Sequence, residues 1–583
     1  MFKLSRPALA TTLILALLLI VATQTSGQAP SRRPTLAQPS SALDTRIGGT
    51  QVKLYTGSNP SPRFWDAPVH STAVDFVEGE RLVEQATFPG PEDVVRLIVQ
   101  LRDEPLSVRM RQAKLNLLGA SEASVAQAYA DHLSAVRREV LTQMEQQGIQ
   151  AQVNREFEFL FNGLAVSVKM KEWPRLSQLP QVQAVEPDYA VQADLQDSVP
   201  LIGAPSVWAM SDGTGRPVTG QGVRVAVLDT GIDYTHPDLG GCLGPTCKVI
   251  GGYDLVNNDN DPMDDNGHGT HVAGIVAANG TLKGVAPGAS LMAFKALDDR
   301  GSGWNSTIIA GLERAADPDS NPTTDDGAQV INLSLGGAGT PDGPMSQAVD
   351  HAVEQGIVVV AAAGNSGPTP EMVGSPGVAR KALTVAASDK YDYLADFSSR
   401  GPVPGYPDLI KPDLTAPGVS ITSTVPYYGN LGSPSRYRNL DGTSMAAPHV
   451  AGSAALLKQL YPTWTPEVIK ASLINTAKDL GRDMFEQGTG RVDVYAAATA
   501  RATLAPGSLA LGADDLSQSV WLVSGTLTLT NWSASASTWS LALSHALPAG
   551  VTASLSASNV TLTPGESRVL TLSLSVDNRR YKK

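Results

Sequence analysis

The sequence predicts an α/β protein built on a doubly wound, mostly parallel sheet, with a small α+β domain before it and a β-sandwich module after it. Near-continuous apolar runs such as "VRVAVLD" and "GIVVVAAAG", bounded by Gly, Asp or Ser, are typical of buried parallel strands. Helical segments such as "PMSQAVDHAVEQ" alternate with these runs, as in a doubly wound sheet. Beyond about residue 501 the pattern changes to short alternating segments separated by turns, which favours a β-sandwich.

The stretch 91–195 predicts the small α+β domain. "VVRLIVQLRD" is typical of a strand, and the long helical stretch that follows it ends at Gly148, a signal for a helix C-terminus. "REFEFLFNGLAVSVKM" alternates as one strand would, and "VQAVEPDYAV" predicts a further strand after a short helix around "EWPRLSQL". Strands and helices in this order favour helices packed on one face of a sheet.

The central domain is predicted to span 196–500. "QVINLSL" and "KALTVAAS" predict further buried strands, and "STIIAGLERAA" and "APHVAGSAALLKQLYP" predict helices. Because ligands of doubly wound sheets bind at the carboxyl ends of the strands, we expect the functional site at that edge.

The last segment, 501–583, contains alternating stretches such as "QSVWLVSGTLTLTNWS" and "SRVLTLSLSV", with turns such as "LPAG" between them. These stretches supply few strands for a complete sandwich. We expect a module that is truncated or completed by a strand from elsewhere.

Residues 1–29 have the pattern of a signal peptide. Lys3 and Arg6 precede the apolar run "ALATTLILALLLIVA", which polar and small residues follow. The run is short for a membrane-spanning helix, and an uncleaved anchor is the alternative interpretation. Residues 30–90, rich in Pro, Ser, Gly and Thr, predict a linker or loosely ordered prosegment. We therefore expect a secreted, extracellular protein; retention at the cell surface stays open.

The composition narrows the classes of partner. A formal net charge of -12 disfavours nucleic acid or an anionic membrane surface as the main partner. We expect no membrane contact after removal of the signal, and we expect a monomer. The two cysteines, Cys242 and Cys247, flank a Gly-Pro turn, and in an exported protein this favours a small-loop disulfide over two thiols.

Three side chains of the central domain could form a nucleophilic site. "VLDTGID" places Asp229 at the end of a buried strand, "NGHGTHVAG" places His268 where a helix begins, and "GTSMAAPH" places Ser444 at another helix start. A serine hydroxyl needs a base such as imidazole, which in turn needs a carboxylate to fix its tautomer. Taken singly, the three residues could be a turn residue, a core histidine and a helix cap.

The same three stretches resemble the catalytic boxes of the subtilisin-like serine proteases, in the order Asp, His, Ser of that family. The resemblance covers roughly 195–500. It implies that Asp229 orients the base, His268 is the general base and Ser444 is the nucleophile, with no cofactor needed for catalysis. It also implies that Asn365, in "VVVAAAGNSGP", stabilises the oxyanion together with the backbone N–H of Ser444.

Two further stretches are similar to the substrate-binding segments of this family. Ser334, Leu335 and Gly336, in "INLSLGG", are similar to the edge segment that pairs with an extended peptide. Gly374 and Gly377, in "EMVGSPG", are similar to the wall of the main specificity pocket, which would then accept an apolar or aromatic side chain. Tight packing is the alternative role of these residues.

The acidic stretch "YDLVNNDNDPMDDN" resembles the calcium loop of the thermitase-like branch, which implies Asp254, Asn257, Asp259 and Asp261 as ligands of a structural calcium ion. A solvated acidic turn is an equal alternative. Asp238 is similar to a ligand of the tighter calcium site of the family, but "AANGTLKGVAP" is shorter than the loop that supplies the other ligands of that site.

The domain at 91–195 resembles the inhibitory propeptide of the family, through "FLFNGLAVSVKM" and "LPQVQAVEPDYAV". The resemblance implies that this domain assists folding and then blocks the cleft with its C-terminal tail, with cleavage near residues 190–198. The segment 501–583 is similar to the fibronectin-type modules of some large secreted members.

Two other interpretations of the sequence compete with this one. A metal-dependent hydrolase would use His268 and His271, but an H-E-x-x-H zinc site needs two histidines four positions apart, and these two are three apart. His236, His271 and His449 are expected to be structural. An inactive, protease-like adhesion module would lack a residue of the Asp-His-Ser set, and none is missing. We therefore predict a secreted serine endopeptidase, made as a zymogen, that forms an acyl-enzyme on Ser444, acts on polypeptides and removes its own propeptide.

Overall fold

The structure, a computed structural model of the 583-residue chain, describes residues 91–116, 122–188, 190–193, 198–321, 323–324, 326–543 and 547–581, together with the two-residue strands Thr11–Thr12, Thr23–Gln24 and Tyr55–Thr56. Apart from those strands, the predicted signal peptide and linker lie outside the described residues. The chain divides into two compact units, Ala67–Ala500 on the one hand and Met1–Asp66 with Arg501–Lys583 on the other.

The larger unit begins with a four-stranded antiparallel sheet in the order β2-β3-β1-β4. The elements of this part are β1 Val94–Leu101, α1 Leu106–Asn116, α2 Glu122–Gln146, β2 Gln152–Phe157, β3 Gly163–Lys169, α3 Trp173–Leu176, β4 Val182–Pro187 and β5 Ala190–Ala193. Alternate residues of β1 face opposite sides of this sheet. Leu97 and Val99 pack with Val140 and Met144 of α2, whereas Ile98 belongs to an apolar cluster that continues into the central domain. Both faces of the sheet are therefore covered.

The stretch "REFEFLFNGLAVSVKM", predicted as one strand, forms two strands, β2 and β3, joined by a turn. Gly163 opens β3, and a Cβ there would lie 2.3 Å from the carbonyl oxygen of Val99, so only glycine fits. Leu160 and Phe161 in the turn are buried in the apolar cluster shared with the central domain. Because the turn is apolar, the alternating pattern of the sequence continues through it, and the two strands look like one.

The central domain contains a seven-stranded sheet in the order β7-β8-β6-β10-β12-β13-β14, and every neighbouring pair is parallel. The strands of this domain are β6 Arg224–Asp229, β7 Val249–Asp254, β8 Ser290–Lys295, β9 Ser302–Trp304, β10 Val330–Leu333, β11 Leu335–Gly336, β12 Val358–Ala362, β13 Leu383–Ser388, β14 Leu414–Pro417, β15 Ile421–Thr424 and β16 Tyr437–Leu440. The predicted doubly wound parallel sheet is confirmed.

The helices of this domain precede, separate and follow these strands, and two of them carry candidate site residues at their N-termini. They are α4 Ala204–Trp208, α5 His268–Ala277, α6 Asn305–Ala316, α7 Pro344–Glu354, α8 Thr443–Leu460, α9 Pro466–Asn475, α10 Met484–Gln487 and α11 Val494–Ala498. Pro448 is the sixth residue of α8 and lacks the N–H that would donate to the carbonyl oxygen of Ser444; the hydroxyl of Ser334 donates to that oxygen instead, at 2.6 Å, and the helix continues.

The smaller unit is all-β in its described residues after 500. Its strands are β17 Ala502–Ala505, β18 Val520–Asn531, β19 Ser537–Ser540, β20 Val551–Leu555, β21 Asn559–Leu562 and β22 Ser567–Asp577. One antiparallel sheet has the order β17-β18-β22-β20, and β19 pairs with β21 in another. Antiparallel sheets of this kind agree with the expected β module.

Cys242 and Cys247 form a disulfide with an S–S distance of 2.09 Å, and there is no other cysteine in the chain. Among the helices of the described residues, none combines the length and the apolar character that a membrane span requires.

Candidate active site

Asp229 and His268 meet where a strand ends and a helix begins. Asp229 is the last residue of β6 and His268 is the first of α5. Nδ1 of His268 lies 2.5 Å from Oδ1 of Asp229, and the two side chains are only 1% and 0% exposed. A buried carboxylate at this distance makes Nδ1 the hydrogen-bond donor, so Nε2 is the basic nitrogen of the ring.

Sequence reasoning missed Asp264, a fully buried carboxylate that holds both sides of this pair. Its Oδ1 accepts hydrogen bonds from the hydroxyl of Thr230, at 2.9 Å, and from the N–H of Gly267, at 2.8 Å. Its Oδ2 accepts from the N–H of Thr270 at 2.9 Å. Burial raises the pKa of Asp264, and the donated hydrogen bonds oppose that shift. Asp264 thus fixes the end of β6 to the start of α5. The feature of the sequence that could have indicated this role is an acidic residue four positions before His268.

Ser444 is the second residue of α8 and is almost fully buried. α5 and α8 both begin at the carboxyl edge of the sheet and pack against each other. A Cβ on Gly452 would lie 3.2 Å from the carbonyl oxygen of Val276, and these two residues follow Ser444 and His268 by the same number of positions. His268 and Ser444 therefore lie at the same end of one helix pair.

Asn365 follows β12 and contacts the start of α8. Its Oδ1 accepts hydrogen bonds from the backbone N–H and the hydroxyl of Thr443, at 2.9 Å and 3.0 Å. This pairing identifies Nδ2 as the donor group of the Asn365 side chain, next to Ser444. Ser334, which is buried, also contacts the start of α8: its hydroxyl donates to the carbonyl oxygen of Ser444 at 2.6 Å.

The edge segment predicted to bind peptide holds the tail of the N-terminal domain. β5 lies between β9 and β11 in a three-stranded antiparallel sheet. Gln192 pairs with Ser302 on one side and Gly336 on the other, and Ala193 pairs with Leu335. Leu335 and Gly336 thus pair with an extended segment of the same chain, whereas Ser334 precedes the ladder. That these residues bind substrate stays a prediction.

The chain is held again just beyond this tail, at Ser198. The N–H of Ser198 donates to Nε2 of His449, at 3.1 Å, and Nδ1 of His449 lies 2.7 Å from the carbonyl oxygen of Met445. Burial lowers the pKa of His449 to about 4, so the ring stays neutral and its Nε2 stays an acceptor near pH 7. Since His449 is on α8, the described residues on both sides of 194–197 are fixed close to Ser444.

The predicted pocket glycines are close-packed. A Cβ on Gly374 would lie 2.9 Å from the carbonyl oxygen of Gly337, and a Cβ on Gly377 would lie 2.7 Å from that of Ala362. Close backbone approach therefore accounts for both glycines. That they also line the specificity pocket stays a prediction.

The predicted calcium ligands make local hydrogen bonds. Oδ1 of Asp254 accepts from the N–H of Asn257 at 2.8 Å, and Oδ1 of Asp259 accepts from the N–H of Asp261 at 2.9 Å. In the part of the chain that the structure describes, one group of three acidic side chains has ligand atoms within 4.8 Å of one another: Asp317, Asp319 and Asp326. These three residues are not the predicted calcium ligands. Calcium binding at 254–261 stays a prediction.

Asp238 has another role in this chain. Its carboxylate accepts the N–H groups of Thr281 and Leu282, both at 2.9 Å, and the hydroxyl of Tyr437, also at 2.9 Å. The loop that is short in sequence therefore uses its own N–H groups to satisfy this carboxylate.

His271, the second histidine of the metal alternative, is fully buried. Its Nε2 lies 3.1 Å from the carbonyl oxygen of Arg438 and 3.2 Å from that of Ile421, so this nitrogen donates to the hairpin β15–β16. Burial lowers its pKa to about 3. A nitrogen that donates to backbone carbonyls is not available to a metal ion, which supports a structural role for His271; that role stays a prediction.

The N-terminal domain holds α6 of the central domain at two points. Oδ1 of Asp188 accepts the N–H of Ser306, at 2.7 Å, in the first turn of α6. Glu313, further along the helix and partly buried, accepts the N–H groups of three successive residues of the β2–β3 turn, at 3.1, 3.1 and 3.3 Å, namely Glu158, Phe159 and Leu160. Ion pairing of Asp188 with Arg96, at 3.0 Å, completes this contact.

Comparisons with known proteins decide the family. Residues 220–491 match the Subtilase family, and residues 97–194 match Peptidase inhibitor I9. Subtilisin DY from Bacillus licheniformis is 42% identical over 308 residues, which are 52% of this chain and 97% of that protein. The chain belongs to the subtilase family. This subtilase is a subtilisin-like serine protease that carries an I9 propeptide domain ahead of its protease domain, which agrees with a zymogen.

Two other relatives of this subtilase cover different shares of it. The alkaline protease from Alkalihalobacillus alcalophilus is 38% identical over 384 residues, 65% of this chain and 90% of that protein. The minor extracellular protease Vpr from Bacillus subtilis (strain 168) is 32% identical over 527 residues, 62% of this chain and 63% of Vpr. The chain therefore spans less than two thirds of the length of Vpr.

Proposed function

We propose that this subtilase is a secreted endopeptidase that hydrolyses polypeptides through an acyl-enzyme on Ser444. The observation that carries the proposal is the buried contact of 2.5 Å between Nδ1 of His268 and Oδ1 of Asp229, at the end of the helix pair where Ser444 lies. The proposed organisation is a signal peptide (1–29), a linker (30–90), the propeptide (91–195), the protease domain (196–500) and a β module (501–583). A structural calcium ion at 254–261 and a monomeric state belong to the same proposal.

In the proposed mechanism, Nε2 of His268 takes the hydroxyl proton of Ser444 as the oxygen attacks the peptide carbonyl carbon. Asp229 stabilises the imidazolium that forms. The tetrahedral oxyanion accepts hydrogen bonds from Nδ2 of Asn365 and the N–H of Ser444. His268 then gives its proton to the leaving amine, the C–N bond breaks, and water, activated by His268, releases the acyl group and restores the Ser444 hydroxyl.

Contacts of the described residues on either side of 194–197 support the proposed removal of the propeptide. β5 is held as a third strand between β9 and β11, and Ser198 is held by His449 on the helix that carries Ser444. A substrate tethered on both sides of the nucleophile reacts in an effectively unimolecular step. This supports cleavage in cis within 190–198.

A serine-directed phosphonate tests the assignment of the nucleophile. We expect one equivalent of label on the peptide that contains Ser444, found by mass spectrometry, together with complete loss of peptidase activity. Loss of activity with a chelator alone, in protein that the phosphonate does not label, would refute the proposal. N-terminal sequencing of the secreted protein gives the cleavage positions in the same preparation.

Replacement of Asn365 by Leu should lower kcat by about 10²–10³-fold with little change in KM, because the oxyanion forms only along the reaction coordinate; this is the scale known for the corresponding loss in subtilisin. Steady-state kinetics on a peptide substrate measures the effect. Asn365→Asp, which keeps the acceptor for Thr443 but replaces the donor by a charge, should be at least as slow. A variant in which only KM changes would contradict the assignment.

We expect inhibition by the propeptide to weaken as the pH rises. Burial under the propeptide raises the pKa of Glu313 to about 8, whereas the exposed carboxyl should titrate near 4.5 once the propeptide has left. Binding of the propeptide therefore takes up a proton, so the complex is strongest below about pH 4.5 and weakens up to about pH 8. Burial, with Asp342 nearby, raises the pKa of Glu186 to about 7, which acts in the same direction.

The activity recovered from the purified, processed complex between pH 4 and 9 measures this effect. Glu313→Gln should reduce the pH dependence of the recovered activity. The pH dependence that remains in this variant is the contribution of Glu186. Glu467→Gln, at an exposed position in the first turn of α9, is the control and should leave the profile unchanged. An unchanged profile in Glu313→Gln would show that this carboxyl does not take up the proton.

A further inference from the structure

We propose that Tyr427 and Tyr428 form an aromatic wall beside His268 that selects an apolar side chain of the substrate within two residues of the scissile bond. This inference rests on the proposed function and names a specificity determinant of the same site. The two rings are 49% and 81% exposed. Their centroids lie 4.7 Å apart in an edge-to-face arrangement.

Two adjacent exposed aromatic rings are a typical feature of recognition surfaces. Among the residues that the structure describes, neither hydroxyl has a hydrogen-bond partner. The rings are therefore available to pack against a bound side chain, and the hydroxyls can remain in water.

The loop that carries the rings is fixed against the residues just before His268. It closes on itself through the N–H of Ser433, which donates to the carbonyl oxygen of Pro426 at 2.9 Å. The N–H of Leu431 donates to the carbonyl oxygen of Asn266 at 2.7 Å. A Cβ on Gly267 would lie 3.0 Å from Cβ of Leu431 and 3.3 Å from Cδ of Pro426. Tyr427 thus follows a residue that packs directly on the neighbour of His268.

The same loop is joined to the edge that holds the propeptide tail. The side-chain amides of Asn430 and Asn266 both donate to the carbonyl oxygen of Asp299, the latter at 2.8 Å. Asp299 lies three residues before Ser302, the residue of β9 that pairs with Gln192. The loop therefore links the peptide-binding edge to the His268 side of the cleft. A peptide that follows β5 toward Ser444 passes this link.

The chemistry of the wall indicates the class of side chain it binds. Two phenol rings offer apolar faces and edges, which favour aliphatic or aromatic groups such as those of Leu and Phe. A hydrophobic contact of this kind discriminates between side chains by about 10–200-fold in kcat/KM. The substrate residue that contacts the wall is one of the four that flank the scissile bond, two on each side.

The test compares kcat/KM of the mature wild-type enzyme and of the double variant Tyr427→Ala/Tyr428→Ala. The substrates are internally quenched peptides with Leu, Phe or Gly at each of the four positions that flank the scissile bond. Active enzyme is counted by phosphonate titration, so a failure of the Ser444 assignment appears separately, as absence of titratable sites in the wild type. We expect the wild type to prefer Leu or Phe over Gly by about tenfold or more at one position, and the double variant to lose that preference.

The matched control is Tyr391→Ala/Tyr393→Ala, which removes two rings of similar exposure, 69% and 64%, from another turn. It should keep the wild-type preference. Tyr427→Phe/Tyr428→Phe should also keep it, because the apolar faces remain. An unchanged preference in the alanine variant would overturn the proposal, and so would an equal loss on the Leu, Phe and Gly peptides.

Discussion

Ser444→Ala should abolish peptide hydrolysis and should leave the propeptide covalently attached. Without the hydroxyl there is no acyl-enzyme, and the loss in kcat should be about 10⁶-fold, the scale known for the triad serine of subtilisin. Since processing in cis would use the same nucleophile, the secreted variant should carry the sequence of β5 in one chain with the protease domain. Activity assays and intact-mass measurement of the secreted protein check both expectations.

The control for this experiment is Ser453→Ala, on the same helix. Ser453 is also buried, and its hydroxyl donates to the carbonyl oxygen of His449 at 2.8 Å, so its loss tests the effect of removing a buried hydroxyl from α8. This variant should remain processed and active. Efficient processing of Ser444→Ala in the absence of any other protease would defeat the assignment of the nucleophile.

The fold class and the family could be predicted because their signals are local. A buried parallel strand has apolar residues on both faces, so runs such as Val225–Leu228 are visible in a single sequence. The candidate triad lies in short glycine-rich stretches at the ends of such elements, and the structure brings Asp229 and His268 into contact. Each of these features depends on fewer than about ten consecutive residues.

Contacts between distant parts of the chain could not be predicted in this way. The β2–β3 turn contains Leu160 and Phe161 because it packs on the central domain, so the usual polar signal of a turn is absent. Glu313 looked like an ordinary helix residue, and only its position under the propeptide gives it three N–H donors. Asp264 belonged to an acidic stretch, and its role depends on Thr230, which precedes it by more than thirty positions.

Asp229→Asn should slow the reaction by about 10⁴-fold while leaving substrate binding nearly intact. An asparagine amide at this position can donate to Nδ1 of His268, which would place the ring proton on Nε2. The imidazole then has no lone pair directed at Ser444, and it cannot take the hydroxyl proton. The structure sharpens this expectation, because Asp229 is fully buried and lies 2.5 Å from the ring, where no water can replace the carboxylate. The unprocessed precursor should also accumulate.

Steady-state kinetics and the fraction of processed protein measure this second effect. The control is Asp408→Asn, an exposed carboxylate in the loop between β13 and β14, which should leave both quantities unchanged. A drop of less than about tenfold in Asp229→Asn would mean that His268 has the correct tautomer without this carboxylate. Another group would then have to hold Nδ1, and the buried contact between Asp229 and His268 would be structural rather than part of the reaction.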